Sequence, residues 1–473
     1  MASPPSFRRC FVSSLTRRQF HRLAIGVAVG ATLPKVIRSE TTPILRACEG
    51  TARLAPSKYP ETQIWGYDGI VPGPVLRARQ GERIKRVFLN DLPQASSVHW
   101  HGIRIENAMD GVVGMTQSAV APGAEFLYDF ALRDAGTYWY HPHNRTHEQM
   151  ARGLYGALIV DERADAPVVD RDEVLLIDDW RLNDKAQIAD GFGNIHDSSH
   201  GGRIGNWITV NGDGGWSREV TRLTRMRLRL VNAANARIFM IEVHGLEGWV
   251  VALDGMPLET PQSLDKFALA PAQRADLIVD VVADEGEEAL IVSRERADSY
   301  AIASFTVLEA GREARLTKPD ALPLNPIPAL GSLKTATRAE LRMEGGAMGG
   351  MRKAMMGGQV TGIRDLAAAG KIWAFNGTVD RSDAPLVEAS PGETVRIAMI
   401  NDTAWPHSMH LHGHHFRRIG RDGALGPLRD TILMNRGETV EIAFVADNPG
   451  DWLLHCHMLE HSASGMMTWL RVT

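Results

Sequence analysis

Short runs in which apolar and polar residues alternate recur along most of the chain. Residues 225–230 alternate without a break between arginine and an apolar side chain, which is the pattern of a strand with one face buried. Comparable runs follow at 84–89, 98–105, 136–141, 154–160, 394–400, 439–444 and 451–455. Short strands separated by turns are typical of sandwiches and barrels. The pattern therefore predicts an all-β protein.

A weak internal repeat relates the two ends of the chain. Residues 81–101 and 392–412 both begin with Gly-Glu, continue as a predicted strand, reach Asn-Asp and end in His-x-His, all in one register. The middle of the chain shows a fainter copy, since the run that ends at Val231 is followed by Asn232. We infer three domains of one type, about 44–165, 166–310 and 370–473, and the length of 473 residues accommodates them.

Residues 311–369 do not fit this pattern and are interpreted as a connector. The segment is rich in proline at 323–328 and then carries five methionines among glycines: Met343, Met348, Met351, Met355 and Met356. One interpretation is a linker, with a small helix at 363–369 and methionines that fill irregular gaps. The other is capture of Cu(I) by soft thioethers. The sequence leaves both open.

The first 43 residues predict an export signal. A twin-arginine pattern at 16–20 precedes an apolar stretch at 23–33, which is shorter than the ~20 residues that span a bilayer. This arrangement indicates export by the twin-arginine machinery to the periplasm, without stable membrane insertion of the mature chain.

The net charge and the cysteine content exclude one class of partner and one kind of cross-link. The net charge of −4 is close to balanced and argues against nucleic acid as a partner. The chain has three cysteines: Cys10 lies in the signal, Cys48 stands alone, and Cys456 lies in a cluster of histidines. A structural disulfide is therefore not expected.

Residues 455–466 contain most of the ligands of a blue-copper site. Cys456, His461 and Met466 supply a thiolate, an imidazole and a thioether, so only one more imidazole is missing. Successive side chains of a strand point to opposite faces. His455 and His457 are therefore expected to project together, away from Cys456, towards a second site.

Three further clusters supply the missing histidines. Together with the last segment they give four His-x-His pairs: His99 and His101, His141 and His143, His410 and His412, and His455 and His457. His407 and His461 remain free to join Cys456. Thiolate and thioether combined with imidazole favour copper over zinc.

In order and spacing the four clusters resemble the copper motifs of the multicopper oxidases, the family of laccases, bilirubin oxidases and bacterial cuprous oxidases. The resemblance runs from about residue 44 to the end and implies three cupredoxin-like Greek-key β-sandwich domains with four copper ions. It assigns His407, Cys456 and His461, with axial Met466, to a type 1 copper, and His99 and His410 to a type 2 copper. The type 3 pair would take His101, His141, His143, His412, His455 and His457.

This resemblance implies a trinuclear centre between the first and third domains, with the middle domain as a structural spacer. A donor such as Cu(I) or a phenol would be oxidised in one-electron steps at type 1, and O2 would be reduced to water at the trinuclear centre. Cys456 is covalently continuous with His455 and His457, so the electron path is a few bonds long. The axial thioether of Met466 favours easily oxidised donors.

Reduction of O2 to water consumes protons, so a proton donor near the trinuclear centre is expected. Asp110 matches a carboxylate that serves the trinuclear centre in the resembled enzymes, which implies a proton donor or relay. Bacterial cuprous oxidases often carry a glutamate directly after the last type 1 histidine, whereas this chain has Ser462. A proton route on that side would then use water or another acid.

Two competing interpretations remain. A two-domain copper nitrite reductase relative is disfavoured by the length of the chain and by its four complete motifs. A copper-binding scaffold without turnover is disfavoured by the intact set of ligands.

Overall fold

The computed structural model describes residues 42–163, 165–295, 298–312 and 314–473. The predicted twin-arginine segment and Cys10 lie outside the described residues. Strands dominate, and the four α-helices of the described residues are short: α1 (Thr146–Gln149), α2 (Ile195–Ser199), α3 (Ile363–Ala368) and α4 (Leu459–Ala463). None of the helices within these ranges has the length and apolar character needed to cross a bilayer.

The first sandwich is built from two four-stranded sheets, with strand orders β2-β1-β4-β6 and β3-β8-β7-β5. Its strands are β1 (Ile44–Ala52), β2 (Thr62–Tyr67), β3 (Leu76–Arg79), β4 (Arg83–Asn90), β5 (His99–His101), β6 (Glu125–Ala131), β7 (Gly136–His141) and β8 (Gly156–Asp161).

The second sandwich has a six-stranded sheet, β10-β9-β12-β17-β14-β15, and a five-stranded sheet, β11-β19-β18-β13-β16. Its strands are β9 (Arg171–Trp180), β10 (Trp207–Val210), β11 (Ser217–Arg222), β12 (Arg225–Asn232), β13 (Phe239–His244), β14 (Leu246–Leu253), β15 (Met256–Ser263), β16 (Phe267–Leu269), β17 (Arg274–Val281), β18 (Glu288–Glu295) and β19 (Asp298–Ala310).

The third sandwich pairs a six-stranded sheet, β23-β20-β25-β30-β27-β28, with a five-stranded sheet, β24-β32-β31-β26-β29, and β21 and β22 form a separate hairpin. Its strands are β20 (Thr337–Gly345), β21 (Lys353–Met356), β22 (Gln359–Gly362), β23 (Trp373–Phe375), β24 (Val387–Ala389), β25 (Thr394–Asn401), β26 (His407–Leu411), β27 (Phe416–Ile419), β28 (Leu425–Arg429), β29 (Thr431–Met434), β30 (Thr439–Val445), β31 (Gly450–Cys456) and β32 (Met467–Val472). The prediction of an all-β fold is confirmed.

The three sandwiches share one pairing scheme. In each of them, one strand pair in each sheet is parallel and most other pairs are antiparallel. In the first sandwich, β1 pairs with β4 and β3 pairs with β8. The corresponding parallel pairs are β9 with β12 and β11 with β19 in the second sandwich, and β20 with β25 and β24 with β32 in the third. This common scheme underlies the internal repeat.

The asparagine of the repeat has the same structural role in all three sandwiches. Asn90, Asn232 and Asn401 end equivalent strands and are buried. Each side-chain amide donates to two backbone carbonyls, and each side-chain oxygen accepts the backbone N–H two residues later. The asparagine thus satisfies the polar backbone of the turn that would otherwise be buried without partners.

The expectation that β12 has one exposed face is wrong. All eight of its residues are buried, including its three arginines. Arg225 and Arg227 pair with Asp280 and Asp276 of the neighbouring β17. Arg229 also donates to Thr137 of the first sandwich at 3.0 Å. The polar face is therefore covered by another domain, and its charges are neutralised by paired carboxylates.

The segment interpreted as a connector is partly a strand of the third sandwich. Its residues 337–345 form β20, which runs parallel to β25, and Met343 is fully buried there. The small helix expected at 363–369 is present as α3. Met351 and Met356 pack against a small apolar cluster that contains Leu366, whereas Met348 is 78% exposed. The methionines therefore lie in different environments and do not converge as a group.

Candidate copper centre

The strand register brings the histidine pairs of the first and third sandwiches together. In the first sandwich, His99 lies opposite His141 on the paired strands β5 and β7. In the third, His410 lies opposite His455 on β26 and β31. The two sheets face each other at this point, since the rings of His101 and His410 stack with centroids 3.7 Å apart. Eight histidines, named here the eight-histidine cluster, meet between the two sandwiches.

Two groups of three histidines lie within this cluster. In one group, Nε2 of His141 lies 3.3 Å from Nε2 of His457 and 3.4 Å from Nδ1 of His101. In the other, Nε2 of His412 lies 3.1 Å from Nε2 of His455, and His143 offers a ligand atom within 4.8 Å of both. His99 and His410 complete the cluster, and together with His412 they form a further group within 4.8 Å.

Four of the histidines use the ring nitrogen that points away from the cluster for a hydrogen bond to a backbone carbonyl. Nδ1 of His99 donates to the carbonyl of Asp110 at 2.8 Å, and Nδ1 of His410 donates to the carbonyl of Asp430 at 3.0 Å. The same nitrogen of His141 and of His455 donates to a carbonyl beside it. When Nδ1 of a neutral imidazole carries the proton and donates it, the lone pair is on Nε2, which faces inward.

The inward nitrogens are suited to a metal. Nε2 of His99, His143 and His410 is buried and has no hydrogen-bond partner. In the His412 and His455 pair, two inward nitrogens approach to 3.1 Å, where two lone pairs repel unless a cation lies between them. Burial lowers the pKa of His412 and His455 well below the usual value and that of His143 to about 3, so these imidazoles are neutral ligands at neutral pH.

Asp110 lies beside two of these histidines. It is 1% exposed, and its carboxylate accepts from Nδ1 of His412 at 2.9 Å and lies 3.2 Å from Nδ1 of His99. Burial alone would raise the pKa of Asp110, but the imidazoles of His412 and His99 outweigh it and hold the pKa well below its usual range. The carboxylate thus orients one histidine from each sandwich.

A second carboxylate, Asp430, was not identified from the sequence. It is fully buried, and its Oδ1 lies 3.4 Å from a ring nitrogen of both His101 and His410. Its other oxygen accepts from Arg274 of the middle sandwich at 2.6 Å. Gly102 makes room for this pair, since a Cβ there would lie 2.2 Å from the guanidinium. No motif marks Asp430, because its partners His101 and Arg274 belong to the first and the middle sandwich.

The second cluster contains the thiol and is named here the cysteine cluster. Sγ of Cys456 lies 3.7 Å from Nδ1 of His407 and 3.8 Å from Nδ1 of His461, and these two nitrogens are 3.1 Å apart. Met466 is fully buried in the same core, and its carbonyl accepts from the backbone N–H of Cys456. Burial raises the pKa of the Cys456 thiol to about 12, so a thiolate here requires a bound cation.

In the cysteine cluster the outward nitrogen is Nε2 rather than Nδ1. Nε2 of His407 lies 2.8 Å from the hydroxyl of Thr403, which itself donates to Asn401. Nε2 of His461 donates to the carbonyl of His200 at 2.7 Å. Each imidazole therefore presents Nδ1 to the sulfur. Two imidazoles and a thiol around one point, with a thioether nearby in the chain, form the donor set of a blue-copper site.

The middle sandwich, expected to be a spacer, contacts both clusters. Arg274 reaches Asp430 beside the eight-histidine cluster, and the carbonyl of His200 caps His461. Asn235 donates to Glu460, a buried carboxyl next to His461 whose pKa is raised by burial. Ser462 places its hydroxyl 3.3 Å from Nδ1 of His455. Both clusters thus depend on more than their own histidines.

Three family models described as multicopper oxidase match residues 50–165, 171–306 and 358–473. Multicopper oxidase MmcO of Mycobacterium tuberculosis is 29% identical over 85% of this chain and 82% of its own length. A copper resistance protein A homolog of Pseudomonas syringae pv. tomato is 26% identical over 86% of this chain and 88% of its own length.

Among solved structures, Lac15 from a marine microbial metagenome is 42% identical. The match covers 91% of this chain and 100% of Lac15, with a TM-score of 0.75. The fold is thus three cupredoxin-like sandwiches, and the donor sets of both clusters fit copper. The chain belongs to the multicopper oxidase family.

Proposed function

We propose that the chain couples one-electron oxidation of a small donor at the cysteine cluster to four-electron reduction of O2 to water at the eight-histidine cluster. The observation that carries this proposal is the position of Cys456 between His455 and His457. The cysteine belongs to one cluster, and its two neighbours belong to the other. The protein backbone therefore joins the two clusters over a few covalent bonds.

We assign four copper ions to these residues. His407, Cys456 and His461, together with Met466, would hold a type 1 ion, and His99 and His410 would hold a type 2 ion. The remaining six histidines would hold a type 3 pair: His101, His141 and His457, and His143, His412 and His455. When bound, these ions supply one-electron chemistry and the storage of several electrons. The chain's own part is to orient the imidazoles, keep them neutral and move protons.

Asp110 is our proposal for proton delivery. Its carboxylate is buried between His99 and His412, where it accepts a hydrogen bond from Nδ1 of His412 and lies 3.2 Å from Nδ1 of His99. Because its pKa is held well below the usual range, the carboxylate is ionised, and it would accept a proton only transiently and pass it on within the cluster. The same contacts orient the two histidines, so positioning and proton transfer have to be separated by experiment.

We propose Cu(I) or an electron-rich phenol as the donor. The name of the copper resistance protein A homolog supports Cu(I). A thioether ligand from Met466 would favour donors that are easily oxidised, and both classes fit this condition. Export to the periplasm stays a prediction from residues 1–43, and fractionation of cells that produce the full chain tests it.

The function is tested by O2 uptake of the copper-loaded protein with Cu(I) and, separately, with a phenol. We expect uptake with at least one donor, a visible blue absorption and no release of peroxide. Blue absorption without O2 uptake would instead support a copper scaffold and overturn the proposal.

Replacement of Cys456 by serine tests the entry of electrons. A hydroxyl is a poor substitute for a thiolate as a copper ligand, so Cys456→Ser should lose the blue absorption and at least 99% of the turnover, about the 10²-fold loss that removal of one catalytic group produces. Cys48→Ala is the matched control, because Cys48 is also buried but lies outside both clusters. Turnover retained by Cys456→Ser would contradict the proposed route.

A further inference from the structure

A cavity of about 320 Å³ lies between the middle and the third sandwich. Ile195 and Ser199 of α2 and Ile363 and Ala367 of α3 line it, together with residues of the glycine-rich segment 345–352. Small-molecule sites have volumes of about 300–1,000 Å³, so this cavity has the size of a site for a ligand with a single ring.

Trp373 joins this cavity to the cysteine cluster. The indole is fully buried, and its ring centroid lies 4.4 Å from that of His461. A Cβ on Gly346, in the cavity wall, would collide with the same indole. Nε1 of Trp373 donates to the carbonyl of Ser198 at 2.6 Å, which holds the ring against α2. The cavity therefore reaches His461 through Trp373, and not over the imidazole edge that the carbonyl of His200 caps.

The lining combines an apolar wall with one unpaired cation. Apart from Ser199 and Arg352, the side chains that line the cavity are apolar, and Ile195 is 56% exposed. Arg352 is exposed, and it makes no side-chain hydrogen bond or ion pair with the part of the chain that the structure describes. A guanidinium binds a carboxylate through two parallel hydrogen bonds. The lining thus complements a flat apolar ring that carries a carboxylate.

We propose that this cavity binds an aromatic carboxylic acid that carries a phenolic hydroxyl, with the ring on the apolar wall and the carboxylate on Arg352. The inference rests on the proposed function and narrows its phenolic donors to one class. A neutral phenol of the same size contacts the wall but leaves Arg352 unpaired. An electron that leaves the bound acid has a short path, because Trp373 contacts both the cavity wall and His461.

The reaction balances over four molecules of the acid. Each molecule gives up one electron and its phenolic proton, so its O–H bond breaks and it leaves as a phenoxyl radical. Four such electrons and four protons reduce one O2 to two molecules of water, in which four O–H bonds form. No oxidant other than the O2 of the proposed function is needed.

Binding is measured with 3,4,5-trimethoxybenzoate, which has the ring and the carboxylate but no phenolic O–H to lose. We expect the copper-loaded enzyme to bind one molecule in a calorimetric titration. Ala367→Phe places a ring in the cavity and should abolish this binding. Ala368→Phe is the matched control, because Ala368 is the next residue of α3, is exposed and lies outside the cavity lining.

The contact with the carboxylate is tested by Arg352→Gln. The substrates are 4-hydroxy-3,5-dimethoxybenzoate and its methyl ester, compared by O2 uptake. We expect the ratio of kcat/KM for the acid to kcat/KM for the ester to fall about tenfold, as loss of a hydrogen bond to a charged group implies. Arg364→Gln is the control, since Arg364 is an exposed arginine of α3 outside the cavity lining and should leave the ratio unchanged.

The outcomes separate the cavity from the proposed function. If Ala367→Phe keeps the blue absorption and binds trimethoxybenzoate as tightly as the parent enzyme does, the cavity is not the site. If Arg352→Gln keeps the ratio of acid to ester, the proposed class of ligand is refuted, and this surface substitution does not depend on repacking of a core. A parent enzyme that takes up no O2 with Cu(I) or with either phenol refutes the proposed function, whereas the calorimetric titration still decides the cavity.

Discussion

At the scale of single residues, the choice of ring nitrogen distinguishes the two clusters. His99 and His410 use Nδ1 for a backbone carbonyl and present Nε2 inward. His407 and His461 do the reverse and present Nδ1 to the sulfur of Cys456. In a neutral imidazole one nitrogen donates and the other carries the lone pair. The group that accepts a hydrogen bond from each ring thus decides which nitrogen is available to a metal.

Asp110→Asn tests the proton role of this carboxylate. Asparagine keeps the shape, but its amide neither takes up nor releases a proton near neutral pH, so we expect kcat to fall by about 10²-fold, which is a common loss when a proton-transfer group is removed. The blue absorption should stay, because Asp110 does not contact the cysteine cluster. Oxygen uptake and copper content are measured together.

The control for this experiment is Asp129→Asn, which alters a partly exposed carboxylate of the same sandwich that pairs with Arg83. A variant of Asp110 that loses copper would point to a positioning role alone. Retained copper with unchanged kcat would contradict both roles.

At the scale of strands and turns, the repeated asparagine links the fold to the site. The amide of Asn401 donates to the carbonyls of Trp405 and Asn435. Its side-chain oxygen accepts from the hydroxyl of Thr403, which then accepts a hydrogen bond from His407. The corner that ends β25 therefore also fixes the tautomer of a histidine in the cysteine cluster.

Asn401→Ala should lower the free energy of unfolding by about 2–4 kcal/mol, because it leaves buried backbone groups unpaired at about 1–3 kcal/mol each. The blue absorption band should also shift, since the Thr403 hydroxyl that contacts His407 loses its bond to Asn401. Chemical denaturation and visible spectra provide the measurements. Asn435→Ala, an exposed asparagine at the same corner, should cost less than about 0.5 kcal/mol. Equal costs for both variants would show that the corner contributes little.

At the scale of the whole molecule, a buried ion pair joins the middle sandwich to the third one. Arg274 and Asp430 are both fully buried, and two oxygens of Asp430 accept from the guanidinium at 2.8 and 2.6 Å. Burial alone would raise the pKa of Asp430, but Arg274 and the nearby His101 hold it well below its usual range. The pair is therefore charged and depends on both domains for its partners.

Asp430→Asn leaves the buried guanidinium of Arg274 without an anionic partner. We expect the free energy of unfolding to fall by about 3–5 kcal/mol, the usual cost of breaking a buried ion pair on one side. Glu242→Gln is the control, since its pair with Arg294 is largely exposed and should cost less than about 1 kcal/mol. A cost for Asp430→Asn no larger than that of the control would mean that this pair does not couple the domains.

The buried histidines give the metal-free protein a defined pH dependence. Burial lowers the pKa of His461 to about 4 and that of His143 to about 3, and it lowers those of His407, His412, His455 and His457 well below the usual value. In the unfolded chain a histidine titrates near about 6.5. Between these values the unfolded chain binds more protons, so stability is complete above about pH 6.5 and falls as the pH decreases towards 4.

As the pH falls through this interval, each such imidazole lowers the free energy of unfolding by up to about 1.4 kcal/mol for every pH unit. Thermal unfolding of the metal-free protein at pH 7, 6 and 5 should therefore show a steep decrease in Tm. Copper bound to the same nitrogens should shift this decrease to lower pH, because metal and proton compete for the lone pair. A Tm that stays constant from pH 7 to 5 would contradict the neutral state of these histidines.

The sequence by itself determined the fold class, the repeat and the positions of the donor residues. Alternation with a period of two residues reports strands, and this property is local. The separation of Cys456 from its neighbours His455 and His457 onto two clusters also follows from strand geometry. The repeat could be identified from its Gly-Glu and Asn-Asp pairs because equivalent turns need the same side chains.

Only the tertiary structure decided what surrounds those donors. Asp430 contacts His101 of the first sandwich, and Arg274 of the middle sandwich contacts Asp430. His200 and His461 are likewise 261 residues apart in the sequence. The arginines of β12 were expected to be exposed, because an alternating strand does not reveal whether a second domain covers its polar face. Residues 337–345 were assigned to a connector for the same reason, since they pair with residues of β25 that lie almost sixty positions further along, such as Thr337 with Val395. Contacts of this kind depend on packing between distant segments, which no local pattern encodes.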